Sequence, residues 1–200
     1  MFYDEWGWWY VEPSAINDSG WVVGVCDPGW AYPGWEAFLI IPDFDLANPW
    51  FKDDDGDGTN DLAIILPDGW WAYDVNNQGQ IVGDGGKYVW DVDVAGDGTV
   101  AVTQTQLPPP TTSYRWSIAW SINDSGQVAG VGRPTKGANP DYDPFLWQQD
   151  KGTRLLESLS DMAGFSDLGA AVGINNHGQI VGSGTTRAGV RGYLATPVAP

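Results

Sequence analysis

The stretch Asp53-Asp54-Asp55-Gly56-Asp57-Gly58-Thr59-Asn60-Asp61-Leu62 gathers hard oxygen ligands into one short loop. Counted from Asp53, carboxylates stand at positions one, three, five and nine, and Gly58 at position six permits a tight turn. Calcium takes six to eight oxygens, and the carbonyl of Thr59 at position seven completes the pattern. The predicted ligands are therefore Asp53, Asp55, Asp57, Asp61 and the Thr59 carbonyl. Position twelve is Ile64, so the bidentate Glu of a helix-loop-helix calcium site is missing, and the apolar run Leu62–Leu66 reads as a strand. Without a cation, carboxylates this close repel one another. Asp93-Val94-Ala95-Gly96-Asp97-Gly98 is a degenerate copy that lacks two or more ligands.

No second reactive constellation stands out. His177, the only histidine, sits at a turn position that other copies of the same segment fill with Ser19, Gln78 and Ser125. Cys26 is alone, so no internal disulfide forms, and its expected role is that of a small buried apolar side chain. Gly83-Asp84-Gly85-Gly86 lacks the Lys and the helix of a phosphate loop. A carboxylate pair is enough to cut a glycosidic bond, but nothing selects one pair among 26 acidic residues. These readings predict a protein that is not an enzyme.

The elements that must position the loop come from a repeat. Ile16-Asn17-Asp18-Ser19-Gly20-Trp21-Val22-Val23-Gly24 returns at Val75–Gly83, Ile122–Gly130 and Ile174–Gly182. The frame is a β-branched residue, Asn, a polar pair, Gly, a variable residue, two apolar residues and Gly. Asn opens a type I turn, Gly takes the left-handed position, and the flanking apolar alternation supplies two strands. The hairpins begin near residues 15, 74, 121 and 173, and a period of about fifty residues signals a solenoid, a propeller or an array.

Each unit reads as hairpin, loop, aromatic strand, turn and strand, the aromatic strands being Glu36–Ile40, Lys87–Trp90, Pro144–Trp147 and Arg191–Thr196. The only helical piece expected is short, around Leu155–Met162. Four strands per unit fit a propeller blade. The predicted fold is therefore a single all-β repeat domain over 1–200, a small propeller-like ring of four units, with a β-solenoid or a β-sandwich as the alternatives. Gly7–Val11, within a strand region spanning 1–12, is expected to end at Pro13, pair with Tyr193–Thr196 and close the last blade.

Two resemblances follow from these residues. Ala119–Gly130 followed by Asp143-Pro144-Phe145-Leu146-Trp147 resembles the HAF repeat of bacterial extracellular proteins, whose hairpin is followed by a strand of the form His-Ala-Phe-Leu-Trp. Glu36–Ile40 and Gly192-Tyr193-Leu194 fill the same strand, and the family's His is absent from each. That likeness implies a secreted or surface-displayed β-rich protein and no particular activity. The acidic loop looks like the calcium hairpin of FG-GAP blades in integrin-type propellers, which implies that Asp61 closes the ion's shell.

Composition bounds the partners. The formal net charge of −17, from 26 acidic and 9 basic residues, argues against nucleic acid and anionic membranes and for cation binding. No apolar run is long enough to span a bilayer, and Met1–Trp6 lacks the features of a signal peptide. The chain is thus read as a mature or cloned form, or as one exported by another route. There are 13 Trp, and Trp30, Tyr32, Trp35 and Trp50 fall in loops, free to stack on sugars or on a neighbouring subunit. The expected function is a non-enzymatic, calcium-stabilised extracellular structural or interaction module that self-associates or binds other surface proteins. The alternatives are a lectin-like module for polysaccharide and, last, a glycan-active hydrolase.

Overall fold

In a computed structural model, residues 3–4, 7–8, 11–27, 34–56, 60–83, 88–109, 114–134 and 142–197 are described. Short β1 (Tyr3–Asp4) and β2 (Gly7–Trp8) pair with each other. The first unit follows as β3 (Val11–Ile16), β4 (Val22–Cys26), β5 (Glu36–Ile40) and β6 (Ala63–Ile65). The second is β7 (Ala72–Val75), β8 (Gln80–Gly83), β9 (Tyr88–Val94) and β10 (Val100–Gln106). The third is β11 (Tyr114–Ile122), β12 (Val128–Pro134), β13 (Asp143–Gln148) and β14 (Gly152–Leu155), trailed by a 3-10 turn at Leu156–Leu159. The fourth has β15 (Phe165–Ile174), β16 (Ile180–Thr186) and β17 (Gly189–Ala195). Each unit is an antiparallel meander in which every strand pairs with the next. The all-β architecture and the four hairpins match the sequence expectation, and among the described residues no sheet closes into a ring.

The predicted closing strand is corrected. Gly7–Trp8 pairs with Tyr3–Asp4, Val11 opens β3 opposite Cys26, and β17 pairs with β16 alone among the described residues. Pro13 does not end a strand, because β3 lies at the edge of its sheet and Pro13 stands beside a bulge. A missing N–H is tolerated at both places.

The sheets stack face to face. Val23, Ala37 and Leu39 of the first unit pack against Ala72, Val75, Ile81 and Trp90 of the second. Val82 and Val89 of the second meet Ala119, Ile122, Val128, Phe145 and Trp147 of the third, and Ala129 of the third meets Leu168, Ala171 and Ile180 of the fourth. Side chains alternate along a strand, so the two apolar positions of the repeat frame face opposite ways. The first of them packs back on the preceding unit and the second forward on the next. Leu66, Leu107 and Leu156, each the first residue beyond a fourth strand, plug the same three interfaces.

The first strand of each unit carries a bulge, placing Ser14, Tyr73, Trp120 and Val172 out of register. The bulge drives a backbone carbonyl toward the frame's final glycine. A Cβ on Gly83 would lie 1.9 Å from the Trp71 carbonyl oxygen, and one on Gly182 would lie 1.9 Å from that of Ala170. That position therefore excludes every side chain.

The turns are joined by their asparagines. In each turn the Asn Oδ1 accepts two amides of its own turn, as Asn76 does from Gln78 at 3.0 Å and Gln80 at 2.8 Å. The Nδ2 group reaches the next unit: Asn17 donates to the Asn76 carbonyl at 3.1 Å, Asn76 to that of Asn123 at 2.9 Å, and Asn123 to that of Asn175 at 2.9 Å. Asn76 and Asn123 are buried and Asn175 is exposed. Truncating a buried Asn strands the groups it served, at about 2–4 kcal/mol. Asn123→Ala should cost that much in urea unfolding, and Asn175→Ala, which loses no bond to a further unit, should cost about 1–2 kcal/mol less.

Candidate functional site

The acidic loop is tied at its neck. The Asp61 amide donates to the Lys52 carbonyl at 2.8 Å, and the Lys52 amide donates to Asn60 Oδ1 at 3.1 Å. Inside it, Asp53 Oδ1 accepts the Gly56 amide at 2.8 Å and Asp61 Oδ2 accepts the Asp54 amide at 2.7 Å. Asn60 Nδ2 donates to the Trp50 carbonyl at 2.8 Å and holds the neck against the preceding loop. The first and ninth positions of the calcium pattern thus fold back on the loop's own backbone. Lys52 pairs with Asp54 at 2.5 Å.

Of the five predicted ligands, Asp53, Asp55 and Asp61 are described, and Asp57 and Thr59 lie outside the described residues. Their donors are hard oxygens of the type calcium takes. Among the described residues no three His, Cys, Asp or Glu gather closely enough to hold a metal. The degenerate copy is a hairpin turn: Asp97 Oδ1 accepts the Thr99 amide at 3.0 Å, and Asp93 lies in β9 opposite Ala101.

Of the predicted aromatic contacts, Trp30 and Tyr32 lie outside the described residues. Trp50 is turned onto the first hairpin, where its Nε1 donates to the Gly20 carbonyl at 3.0 Å and its ring meets Phe44 edge-on at 6.2 Å. Trp35 is exposed and, with Trp70, Glu36 and Asp68, lines an open cleft of about 400 Å³. From Trp35 a row of rings runs to Trp71 at 6.4 Å, on to Tyr73 at 5.6 Å and to Trp120 at 4.5 Å. Trp71 Nε1 donates to Ser14 Oγ at 2.8 Å, which ties the row back to the first unit. Tyr73 and Trp120 are bulge residues, and strand alternation alone did not single them out. The signal available was the same bulge position recurring in each repeat.

The hairpin tips form a second polar row beside the asparagines. The position after each Asn reads Asp18, Asn77, Asp124, Asn176. The Asp18 amide donates to Asn77 Oδ1, the Asn77 amide to Asp124 Oδ1, and the Asp124 amide to Asn176 Oδ1, at 2.8–2.9 Å. Asn77 Nδ2 also donates to a carboxylate on each side, Asp18 at 2.9 Å and Asp124 at 3.2 Å, and Asn176 Nδ2 donates to Asp124 at 2.8 Å. Alternating acid with amide keeps like charges apart and gives every carboxylate a donor. His177 lies in the last of these turns, its amide donating to Asn175 Oδ1.

One half-buried carboxylate joins the units below the tips. Asp74 Oδ2 accepts Ser121 Oγ at 2.7 Å and the Ile122 amide at 2.9 Å, and Ser121 Oγ accepts the Ile174 amide at 3.2 Å. Burial raises the Asp74 carboxyl above its ordinary value, against the lowering by the Ile122, Ser121 and Val75 donors. Burial, then Glu36 and Asp27, push the Cys26 thiol up to about 11, which leaves it neutral and poorly nucleophilic.

Comparison with known proteins finds no matching family, no matching characterised protein and no matching solved structure.

The tip row has a pH signature. The Asn77 amide, followed by the Nδ2 groups of Asn77 and Asn176, holds Asp124 below its ordinary 3.8. A carboxyl lowered in the folded state stabilises fully above its unfolded value and loses that contribution as pH falls through the folded one. Asp74, raised by burial, runs the opposite way, so the comparison must isolate Asp124. The excess stability of wild type over Asp124→Asn should be constant near neutrality and shrink as pH drops below about 4, as read from urea midpoints across pH.

Proposed function

We propose that this protein is a non-enzymatic extracellular structural or interaction module, a stack of β units stiffened by calcium at Asp53–Asp61. The observation that carries this reading is where the repeated chemistry goes. The polar residues that recur with the repeat, the turn Asn and the residue after it, are spent on bonds from one unit to the next. A repeat whose duplicated groups build its own scaffold is organised for rigidity and reach. The resemblance to HAF repeats supports an extracellular setting, and three four-stranded meanders and one three-stranded one, of propeller-blade type, would suit it. The resemblance to FG-GAP hairpins supports the ion.

Calcium would be held by Asp53, Asp55, Asp57, Asp61 and the Thr59 carbonyl. Bound there, it supplies positive charge that neutralises the repulsion within the loop. The chain's part is to bring the loop's ends together, through the bonds of Lys52 with Asn60 and Asp61. The role is structural, since the loop leads directly into β6 and hence into the first core.

A second reading, polysaccharide binding, is favoured by the open cleft between Trp35 and Trp70 with Glu36 and Asp68 in its wall. It ranks second because the row that leads away from the cleft stacks ring on ring, so those faces already have partners within the chain.

A ligand that binds only the folded state stabilises it by about 2.7 kcal/mol at a hundredfold excess over Kd. Adding millimolar calcium to chelator-treated protein should therefore raise the melting temperature by several degrees, and Asp61→Asn should abolish most of the rise. A melting curve indifferent to calcium and chelator at low salt would remove the ion from this account.

A further inference from the structure

The ladder has two unlike ends. In the first three units the turn Asn Nδ2 donates to the next unit's Asn carbonyl, and the following residue's amide donates to the next unit's side-chain oxygen. At the fourth unit, among the described residues, the Asn175 Nδ2 bonds only to Gln179 Oε1 and the Asn176 amide has no acceptor. At the first unit, the Asn17 carbonyl and Asp18 Oδ1 receive nothing from a preceding turn among the described residues. One end presents the ladder's donors and the other its acceptors.

Apolar side chains are exposed on the outer faces of the same two units. The forward-facing frame residue is 0% exposed as Val23, Val82 and Ala129, and its counterpart Val181 is 46% exposed. Leu194 pairs with Val181 as Leu39 pairs with Val23, yet Leu194 is 61% exposed and Leu39 0%. On the first unit's outer face, Ile16 is 62% exposed where its counterparts Val75 and Ile122 are each 5% exposed, while Val22 is half-buried and Phe38 is buried.

We propose that these ends meet, and that the fourth unit of one copy docks head to tail on the first unit of a second copy of this chain. This inference rests on the interaction-module reading and supplies its partner. The alternation of the tip row selects the orientation: Asp18, Asn77, Asp124, Asn176 continues in register only if the next residue is an acid, and Asp18 of the second copy is one. A symmetric contact would set Asp18 on Asp18 or Asn176 on Asn176. Charge agrees with the order. From Val11 to Ile65 the only basic residue is Lys52 amid many acids, whereas Phe165–Ala195 carries Arg187 and Arg191 against Asp167 alone. Phe44 and Trp50 lie over Gly20, the place that Trp21, Gln80 and Gln127 take over the next unit's glycine, so an incoming Gln179 would meet those rings. A head-to-tail contact repeats from copy to copy unless its rotation closes a ring.

Sedimentation equilibrium of the full chain with saturating calcium, and again with chelator, tests this separately from the calcium reading, whose failure appears in melting curves alone. Wild type should gain mass with concentration. Leu194→Glu and Ile16→Glu, both at exposed positions and checked for unchanged melting, should each raise the half-association concentration at least tenfold. Mixed, the two variants retain one intact pair of faces and should form a dimer and nothing larger. A wild-type monomer at every concentration, which is also the outcome if Phe44 and Trp50 seal the first unit, overturns the proposal. So does association indifferent to either substitution, or a mixture that yields no dimer.

Discussion

The fold depends on one side chain used four times. The turn asparagine closes its own hairpin with its oxygen in all four units, and in the first three it joins the next hairpin with its nitrogen. An aspartate at this position would keep the first function and lose the second, and a serine is too short for both. Because the donor of one turn meets the carbonyl of the next, the turns stand at hydrogen-bonding distance. The four sheets are thereby held at the spacing their apolar faces need. Each such bond is worth only about 1 kcal/mol net. Its larger effect is on uniqueness, since a sheet displaced from its neighbour would leave buried amides unpaired.

The same constraint explains the frame around the asparagine. The left-handed glycine three residues on, such as Gly79 at φ 77°, ends the turn early enough for the second strand to start in register. The bulge in the first strand brings its carbonyl against the final glycine and swings one residue out of the sheet. In the second and third units that residue is aromatic, and the ring row follows. Asp74 and Ser121 pass the linkage below the tips, each accepting an amide of the following unit. At the outer faces of the first and last units, Ile16, Val181 and Leu194 are exposed where their counterparts between units are buried.

Much of this was legible in the chain. The hairpins, the aromatic strands, a short helical piece around Leu155–Met162 and the all-β class follow from periodicity and turn chemistry, which are local. What escaped is what depends on neighbours. Pro13 read as a strand end, yet at a sheet edge beside a bulge it costs nothing, and the proposed closing strand disappeared with that reading. Asn17, Asn76, Asn123 and Asn175 read as turn formers, and their second bond is invisible until another unit stands beside them. The alternation of acid and amide at 18, 77, 124 and 176 was on the page but had no meaning without the stack. The acidic loop read as a ligand set. The structure adds its closed neck and the turning of Asp53 and Asp61 onto the loop backbone, and leaves Asp57 and Thr59 outside the described residues.

Amide hydrogen exchange on dilute, monomeric protein reads the ladder most directly. Asp18, Asn77, Asp124 and Asn176 occupy one position in four turns of the same frame, and among the described residues only the first three amides donate to a following unit. If the ladder holds the stack together, those three amides exchange slowly, with Asn77 and Asp124 opening only as the units separate, and Asn176 exchanges near the rate of an unstructured peptide. Equal exchange at all four positions, whether fast or slow, would contradict the account.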